Sequence, residues 1–327
     1  MTVMPDTTLH AQLLDRRQLL VAATGTRNRP DLRHLLHEVD TALERFDAGS
    51  YGLCQVCHDP IEHERLGADP LVNVCLGCLS EDQARALEKD LELAARIQTG
   101  LLPARHISFG GWEIHHRYEP AGPVSGDYCD LVEPLNDSDS RYFLFGDVSG
   151  KGVSASILMA HLQALFRSLI SLGLPLDELI EQANRLFCES TLASSFATLV
   201  VGRLHRSGVV ELVNAGHCQP LVVRDGKVTA LPATDLPFGL FSQGSFELQR
   251  FELGADDLLF LYTDGLSEAS NETEEEYGEE RIRSVVACAR GLSAEEATRV
   301  CLDDVRDFRN GTRRTDDLTL MAIRRLA

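Results

Sequence analysis

Four short segments of this sequence place an aspartate beside a glycine, a turn or the end of an apolar run. They contain Asp127, Asp147, Asp264 and the pair Asp316-Asp317. A single Asp-Gly pair is usually only a turn. Carboxylates that converge from several segments repel one another unless cations lie between them. Because oxygen ligands select Mg²⁺ or Mn²⁺, we interpret these aspartates as candidates for a divalent-metal site.

Two cysteine pairs form a second candidate metal site. Cys54-x-x-Cys57 and Cys75-x-x-Cys78 are separated by seventeen residues, a spacing that matches a structural zinc site with four thiolates. Such a site leaves no open position for water, so we expect it to be structural and not catalytic. A redox CxxC motif is the alternative interpretation, and a neighbouring histidine could replace a thiolate.

The bulk composition excludes several classes of function. The net charge of -19 disfavours binding to nucleic acid, and the cysteine-rich segment has no basic face, so no direct DNA binding is expected. No run of about 18 apolar residues is present and residues 1–12 lack a signal-peptide pattern, so no membrane association is predicted. The five remaining cysteines are scattered, which favours a reducing cytoplasm over a disulfide framework.

The chain is expected to divide into four regions. These are an N-terminal helical segment (1–47), a cysteine-rich segment (48–80), a linker helix (81–102) and a larger domain (103–327). The linker repeats apolar residues in steps of three and four, at Leu87, Leu91, Ala94, Ile97 and Leu101. This pattern predicts an amphipathic helix that either packs on its own domain or forms a two-stranded coiled coil between two subunits.

The larger domain mixes strand-like and helix-like runs. Strands are predicted at 142–146, 197–204, 209–214, 220–224 and 258–263, and helices at 155–172, 175–189, 279–289 and 294–308. The order is not a repeating βαβ pattern, and short turns such as Asp225-Gly226-Lys227 favour antiparallel sheets. The fold class is therefore α+β, with helices outside layered sheets.

The cysteine-rich segment resembles a known zinc finger. Residues 42–54 and 61–70, followed by Cys75 and Cys78, are similar to the finger of DksA/TraR proteins. That resemblance implies one structural Zn²⁺ on Cys54, Cys57, Cys75 and Cys78. Members of that family bind RNA polymerase through a long helical hairpin with an acidic tip. Only about forty residues precede the finger here and no such tip motif is present, so we expect a sensing or docking module.

The aspartate segments resemble the bacterial SpoIIE/RsbU branch of the PP2C-like phosphatases, across residues 91–323. Further matching pieces are Ala94 to Pro103, Asn214-Ala215-Gly216-His217, Leu236 to Gly239 and Ser267-Glu268-Ala269. The resemblance implies a PP2C-like β-sandwich of two antiparallel sheets flanked by helices. The first piece is similar to that family's linker helix, which favours the homodimer.

The same resemblance implies the ligands and the chemistry. Asp147 would bridge two Mn²⁺ or Mg²⁺ ions, with Asp127, the Val148 carbonyl, Asp264 and Asp316 as further ligands and Asp317 as the alternative to Asp316. Asp147, Asp127 and Asp264 are the expected catalytic residues. A water activated by two ions would attack a phosphoserine or phosphothreonine phosphorus in line with the leaving oxygen.

This sequence departs from the phosphatase pattern at two places where relatives carry residues that assist the metal ions. Val148-Ser149 stands where many relatives have Gly-His, and residues 120–123 lack the arginine that holds phosphate. Arg117 is a weak substitute for that arginine. His217 is interpreted mainly as a structural residue at a turn, and Ser149 and Lys151 as helix-capping residues.

Three functional hypotheses follow. The first is a protein phosphatase that is regulated by its N-terminal part and acts on a phosphoserine of a STAS-type anti-sigma-factor antagonist. The second is a DksA-like regulator that binds RNA polymerase, with the phosphatase domain secondary. The third is a scaffold without activity, which the loss of an aspartate ligand would have favoured, and none is lost.

Overall fold

The protein is described by a computed structural model that covers residues 7–24 and 30–327. The chain divides into two compact units, residues 1–90 and residues 91–327. The sequence predicts that the larger domain begins at residue 103, after the linker helix. The division into two units instead falls within that helix, between residues 90 and 91.

The first unit begins with two helices that pack on each other. These are α1 (Thr7–Thr24) and α2 (Pro30–Asp47), and Leu13, Leu20 and Val39 lie buried between them. Proline suits the start of α2 because a helix leaves its first N–H groups without partners. The preceding residues Asn28 and Arg29 lie outside the described residues.

The cysteine-rich segment follows α2 with little regular structure. It contains one short helix, α3 (His63–Ala68), and a 3₁₀ turn at Leu76–Cys78. Cys54 is buried with Leu9, Ile61 and Leu66 in a small apolar cluster. The helix was not predicted because six residues are too few to show a helical period.

The linker forms one continuous helix, α4 (Glu81–Leu101), close to the predicted span of 81–102. Leu93 and Ile97 are exposed on it, four residues apart and therefore on one face. Gln98 is buried.

The second unit contains the α+β domain. Its helices are α5 (Gly152–Ile170), α6 (Leu176–Ser190), α7 (Asp264–Ser267), α8 (Glu279–Ala287) and α9 (Ala294–Arg309). Its strands are β1 (His106–Phe109), β2 (Trp112–Glu119), β3 (Asp127–Val132), β4 (Ser140–Val148), β5 (Ala197–His205), β6 (Val209–Ala215), β7 (Leu221–Arg224), β8 (Lys227–Ala230), β9 (Gln249–Glu252), β10 (Leu258–Tyr262) and β11 (Leu318–Arg325).

The strands form two antiparallel sheets that pack face to face. One sheet has the order β1-β2-β11-β10-β7-β8 and the other has the order β3-β4-β5-β6-β9. Trp112 and Ile114 of the first sheet share a buried core with Phe143 and Phe145 of the second. Helices α5 and α6 cover the outer face of the five-stranded sheet, and α8 and α9 cover that of the six-stranded sheet. The predicted fold class is confirmed.

All five predicted strand runs and all four predicted helices of this unit are present, with ends shifted by a few residues. Strand β2 was missed because its sequence, WEIHHRYE, has no clear alternation of apolar and polar residues. One face of β2 packs between the sheets and the other packs against α9, so His115 and His116 are both buried.

Helix α5 is joined to β3 by an ion pair between a half-exposed arginine and a buried aspartate. The Arg167 guanidinium donates to both carboxylate oxygens of Asp130, at 2.8 Å each. α5 is also long and apolar enough, by length and composition alone, to pass as a membrane-spanning helix. Its side chains Met159, Leu162 and Phe166 are buried in the core of the second unit, which is the pattern of a core helix.

Candidate metal centre

The two central aspartates lie opposite each other on paired strands. Asp127 begins β3, and its partner in the antiparallel ladder is Asp147, one residue before the end of β4. Directly opposite side chains lie on the same face of a sheet. The register therefore brings together two carboxylates that are twenty residues apart in sequence.

Asp127 is held by two hydroxyl groups. Its Oδ2 atom accepts hydrogen bonds from Thr263 Oγ1, at 3.1 Å, and from Thr319 Oγ1. Burial and then the charge of Asp147 raise the pKa of Asp127 well above its usual range. The hydroxyls fix one oxygen and leave the other to face Asp147. Sequence reasoning missed both threonines, although Thr263 directly precedes Asp264 and Thr319 follows Asp317 by two residues.

Asp147 and the Val148 carbonyl point at one small space beside Gly126. A Cβ atom built on Gly126 would lie 2.9 Å from Asp147 Oδ1 and 3.0 Å from the Val148 oxygen. Two oxygen atoms thus converge where a methyl group would otherwise sit. Oxygen atoms of this kind are the ligands that Mg²⁺ and Mn²⁺ prefer, so Asp147 and the Val148 carbonyl fit as two ligands of such an ion.

Asp264 and Asp316 lie near enough to Asp147 to affect its ionisation. Burial and then the charges of Asp264 and Asp316 raise the pKa of Asp147 to about 7, and burial followed by Asp316 raises the pKa of Asp264. A Cβ atom on Gly265 would lie 1.9 Å from the Asp317 carbonyl oxygen. Only glycine therefore lets the start of α7 pack against the segment that precedes β11.

The contacts of Asp316 and Asp317 separate their roles. Asp317 accepts backbone N–H bonds from Ala121, at 2.7 Å, and from Gly126, at 3.0 Å, on its two oxygens. It therefore ties down the loop that leads to Asp127. Asp316 instead accepts a hydrogen bond from Lys151. Its charge raises the pKa of Asp147 and Asp264, and the charge of Asp317 raises the pKa of Asp127 and Asp147. This arrangement favours Asp316 over Asp317 as a ligand.

Lys151 reaches the site, contrary to its predicted role as a capping side chain. It occupies the position before α5, but its side chain makes no capping hydrogen bond. Its Nζ atom donates to Asp316 Oδ2 at 2.8 Å and to the Thr315 carbonyl at 3.3 Å. Ser149 also does not cap α5, because its hydroxyl accepts the N–H of Phe196. The Lys151 side chain therefore contacts Asp316, a residue 165 positions away in the sequence. The sequence alone does not show this contact.

Two residues considered for catalysis lie elsewhere. Arg117 is on the face of β2 opposite Tyr118 and lies 3.8 Å from Glu295 of α9, so it is not placed to hold phosphate. His217 is buried, its Nδ1 atom is 2.9 Å from Thr198 Oγ1, and burial lowers its pKa to about 4. Because Thr198 pairs with Asp147 in the sheet, His217 supports the strand beside the site.

The linker helix contacts the loop that carries Asp127. Gln98 Nε2 donates to the Ser125 carbonyl at 2.7 Å, and the Ser125 N–H donates to Gln98 Oε1 at 3.0 Å. Ser125 Oγ in turn accepts the N–H of Asp127 at 3.0 Å. Two reciprocal bonds from a buried amide thus fix the backbone two residues before the ligand.

The four finger cysteines converge as predicted. The Sγ atoms of Cys54, Cys57, Cys75 and Cys78 lie within 4.8 Å of one another, and no other such group of three or more potential ligands occurs in residues 7–24 and 30–327. Cys57 Sγ and Cys75 Sγ are 3.6 Å apart, near the roughly 3.8 Å of a tetrahedral zinc–thiolate site. Burial raises the pKa of the Cys54 thiol, but backbone N–H groups outweigh that effect and lower it to about 6. The aspartate oxygens of the candidate site are spread more widely than these sulfur atoms.

Two family models match this chain. A family model described as stage II sporulation protein E (SpoIIE) matches residues 137–326, and one described as the prokaryotic dksA/traR C4-type zinc finger matches residues 49–84. Among curated proteins, IcfG of Synechocystis is 26% identical to this chain, and the matched region covers 72% of this chain and 41% of IcfG. Phosphoserine phosphatase RsbU of Bacillus subtilis is 25% identical and covers 57% of this chain and 56% of its own length. The chain thus spans about half the length of these relatives.

Solved structures show the same fold. The SiaA-PP2C domain of Pseudomonas aeruginosa superposes with a TM-score of 0.63 at 18% identity, covering 74% of this chain and 98% of that domain. A Mycobacterium tuberculosis structure of RsbU and RsbW domains gives a TM-score of 0.57 at 29% identity, covering 66% of this chain and 60% of that one. The second unit therefore has a PP2C-like fold.

Substitution of Gly126 tests the space between Asp147 and Val148. In Gly126→Ala, the new methyl group would occupy that space, so we expect the affinity for Mn²⁺ to fall by about tenfold or more, which is about 1.4 kcal/mol. Isothermal titration calorimetry measures this affinity. Gly122→Ala is the matched control, because its Cβ would meet nothing closer than the Val124 oxygen at 3.6 Å. Equal affinities in both variants would contradict the assignment.

The raised pKa of Asp147 predicts how stability depends on pH without added divalent cations. Because the folded state holds this proton up to about pH 7 and the unfolded state loses it near 4, stability falls as pH rises through 7. From pH 6 to 8, wild type should lose about 1 kcal/mol more than Asp147→Asn. Urea unfolding followed by fluorescence of Trp112, the single tryptophan and a core residue of this unit, measures the difference. The same pH slope in both proteins would contradict the prediction.

Proposed function

Since this chain belongs to the stage II sporulation protein E (SpoIIE) family, we propose that it is a metal-dependent serine/threonine phosphatase that hydrolyses phosphoserine on a regulatory protein. The observation that carries the proposal is the convergence of Asp147 Oδ1 and the Val148 carbonyl beside Gly126. Asp127 faces Asp147, and Asp264 and Asp316 complete the ligand set.

The residues of the site would divide the work between them. Divalent cations, when bound, would supply an acidified water and would neutralise charge on the phosphoryl oxygens. Asp147, whose pKa responds to Asp264 and Asp316, would be a central ligand. Thr263 and Thr319 hold Asp127 in one orientation. Lys151 neutralises Asp316 until a cation takes its place.

The proposed substrate class rests only on sequence similarity to named relatives. RsbU of Bacillus subtilis, a relative at 25% identity, carries the name phosphoserine phosphatase. We therefore infer a phosphoserine on a STAS-type anti-sigma-factor antagonist as the substrate. Serine and threonine phosphates need no large pocket, since the attacked phosphorus projects beyond the side chain.

The zinc finger would hold one structural Zn²⁺. The four thiols already lie at ligand spacing, so little rearrangement is needed on binding. We infer that the finger regulates the phosphatase. The alternative, a DksA-like regulator of RNA polymerase, receives less support because residues 25–29, between α1 and α2, contain two arginines and no acidic residue.

The linker helix provides a physical route for regulation. Gln98 fixes the Ser125 backbone beside Asp127, whereas the neighbouring Ile97 side chain is 59% exposed. We infer that Leu93 and Ile97 pair with the same residues of a second copy, as in a short coiled coil. Rotation of the helix on dimerisation would then move Gln98 and change the geometry of the metal ligands.

Hydrolysis of a phosphoserine peptide with Mn²⁺ tests the central proposal. Asp147→Asn and Asp264→Asn each remove a ligand charge worth several kcal/mol in the transition state, so phosphate release should fall by about a hundredfold or more. Asp225→Asn is the control, because Asp225 is an exposed turn residue with a positive φ that asparagine tolerates. Equal rates in wild type and all three variants would refute the proposal.

Light scattering at micromolar concentration tests the dimer. Wild type should have twice the mass of one chain, and Ile97→Lys should be monomeric because a charge would enter the apolar contact. Thr99→Lys changes an exposed residue on another face of α4 and should remain dimeric. A monomeric wild type would exclude regulation through dimerisation.

A further inference from the structure

A small cavity lies beside the proposed metal ligands. It encloses about 80 Å³ and is lined by the α7 region, the end of α9 and residues 312–316. Gly265 and Asp316 belong to its lining, so it adjoins the site where phosphate would be hydrolysed. No part of the mechanism above uses it.

Three arginines line this cavity, and two of them have no carboxylate partner. Arg314 pairs with Glu119 at 2.6 Å. Arg309 donates to the Thr312 carbonyl and has no carboxylate within 4.0 Å in the part of the chain that is described. Arg313 is exposed and has neither a hydrogen bond nor an ion pair with any described residue. The cavity thus brings together two guanidinium groups without a carboxylate partner, in a chain with 50 acidic and 31 basic residues.

The acidic groups of the lining do not cancel this charge. Asp316 is already neutralised by Lys151 at 2.8 Å, and by metal when metal is bound. Glu268 is the remaining carboxylate. Arg309 and Arg314 are close enough for Arg314, together with burial, to lower the pKa of Arg309. The cavity therefore has an excess of positive charge that an anion would relieve.

We propose that this cavity binds the carboxylate of an acidic residue close to the phosphoserine in the substrate protein. The inference rests on the proposed function, because the cavity is defined by its position next to the metal ligands. A volume of about 80 Å³ admits a carboxylate and a few water molecules but excludes a large ring. Arginine forms paired hydrogen bonds to carboxylates, so Arg313 would be the main recognition residue and Arg309 its support.

The test measures binding without hydrolysis. Two peptides carry a phosphonate analogue of phosphoserine, one with only alanine around it and one with glutamates within three residues on either side. Fluorescence anisotropy gives their affinities for the full chain in Mn²⁺. Wild type should bind the acidic peptide about tenfold more tightly, as expected for one charge-assisted contact. In Arg313→Ala this preference should fall to about twofold or less, and in Arg313→Glu it should reverse.

The matched control is Arg299→Ala, which removes an exposed arginine of α9 that lies outside the cavity and should keep the wild-type preference. Equal affinity of wild type for both peptides, or no binding of the acidic one, overturns the proposal. So does a preference that survives in Arg313→Ala. Failure of the proposed function is seen separately, as a preference for the acidic peptide without any release of phosphate from its hydrolysable form.

Discussion

Asp127 and Asp147 face each other across two paired strands, and the charge of Asp147 adds to burial in raising the pKa of Asp127. Two ionised carboxylates at this spacing, largely removed from water, repel each other strongly. The site can hold both charges only if cations or hydrogen-bond donors compensate them. Much of the local structure of the second unit meets that requirement.

Several neighbouring groups compensate the negative charge of this pair. Thr263 and Thr319 donate to one oxygen of Asp127, and Lys151 donates to Asp316. Gly126 keeps open the space that Asp147 and the Val148 carbonyl share. The ligands come from both sheets, and the core between the sheets holds their strands in register. A site on such a rigid support keeps its geometry when a cation enters or leaves.

The edges of this site connect it to the rest of the chain. Gln98 links the linker helix to Ser125 in the loop before Asp127 through two hydrogen bonds. The Arg167–Asp130 pair fixes α5 on β3, and α5 begins beside Lys151. On another side, the arginine-lined cavity adjoins Asp316. The proposed regulation and the proposed substrate recognition would thus involve different neighbours of the same few carboxylates.

The sequence by itself was sufficient for the α+β class, the strands with regular apolar runs, the cysteine ligands and the list of candidate aspartates. Those features depend on residue type and local spacing, which are visible along the chain. Strand β2 was hidden because both of its faces are covered, which removes the alternation. Only the tertiary structure showed that Asp317 accepts backbone N–H bonds while Asp316 accepts from Lys151, and that Gln98 bonds to the Ser125 backbone. These contacts join residues between 27 and 196 positions apart. Such pairings depend on strand register and on the packing of two sheets, and no local pattern of residues encodes them.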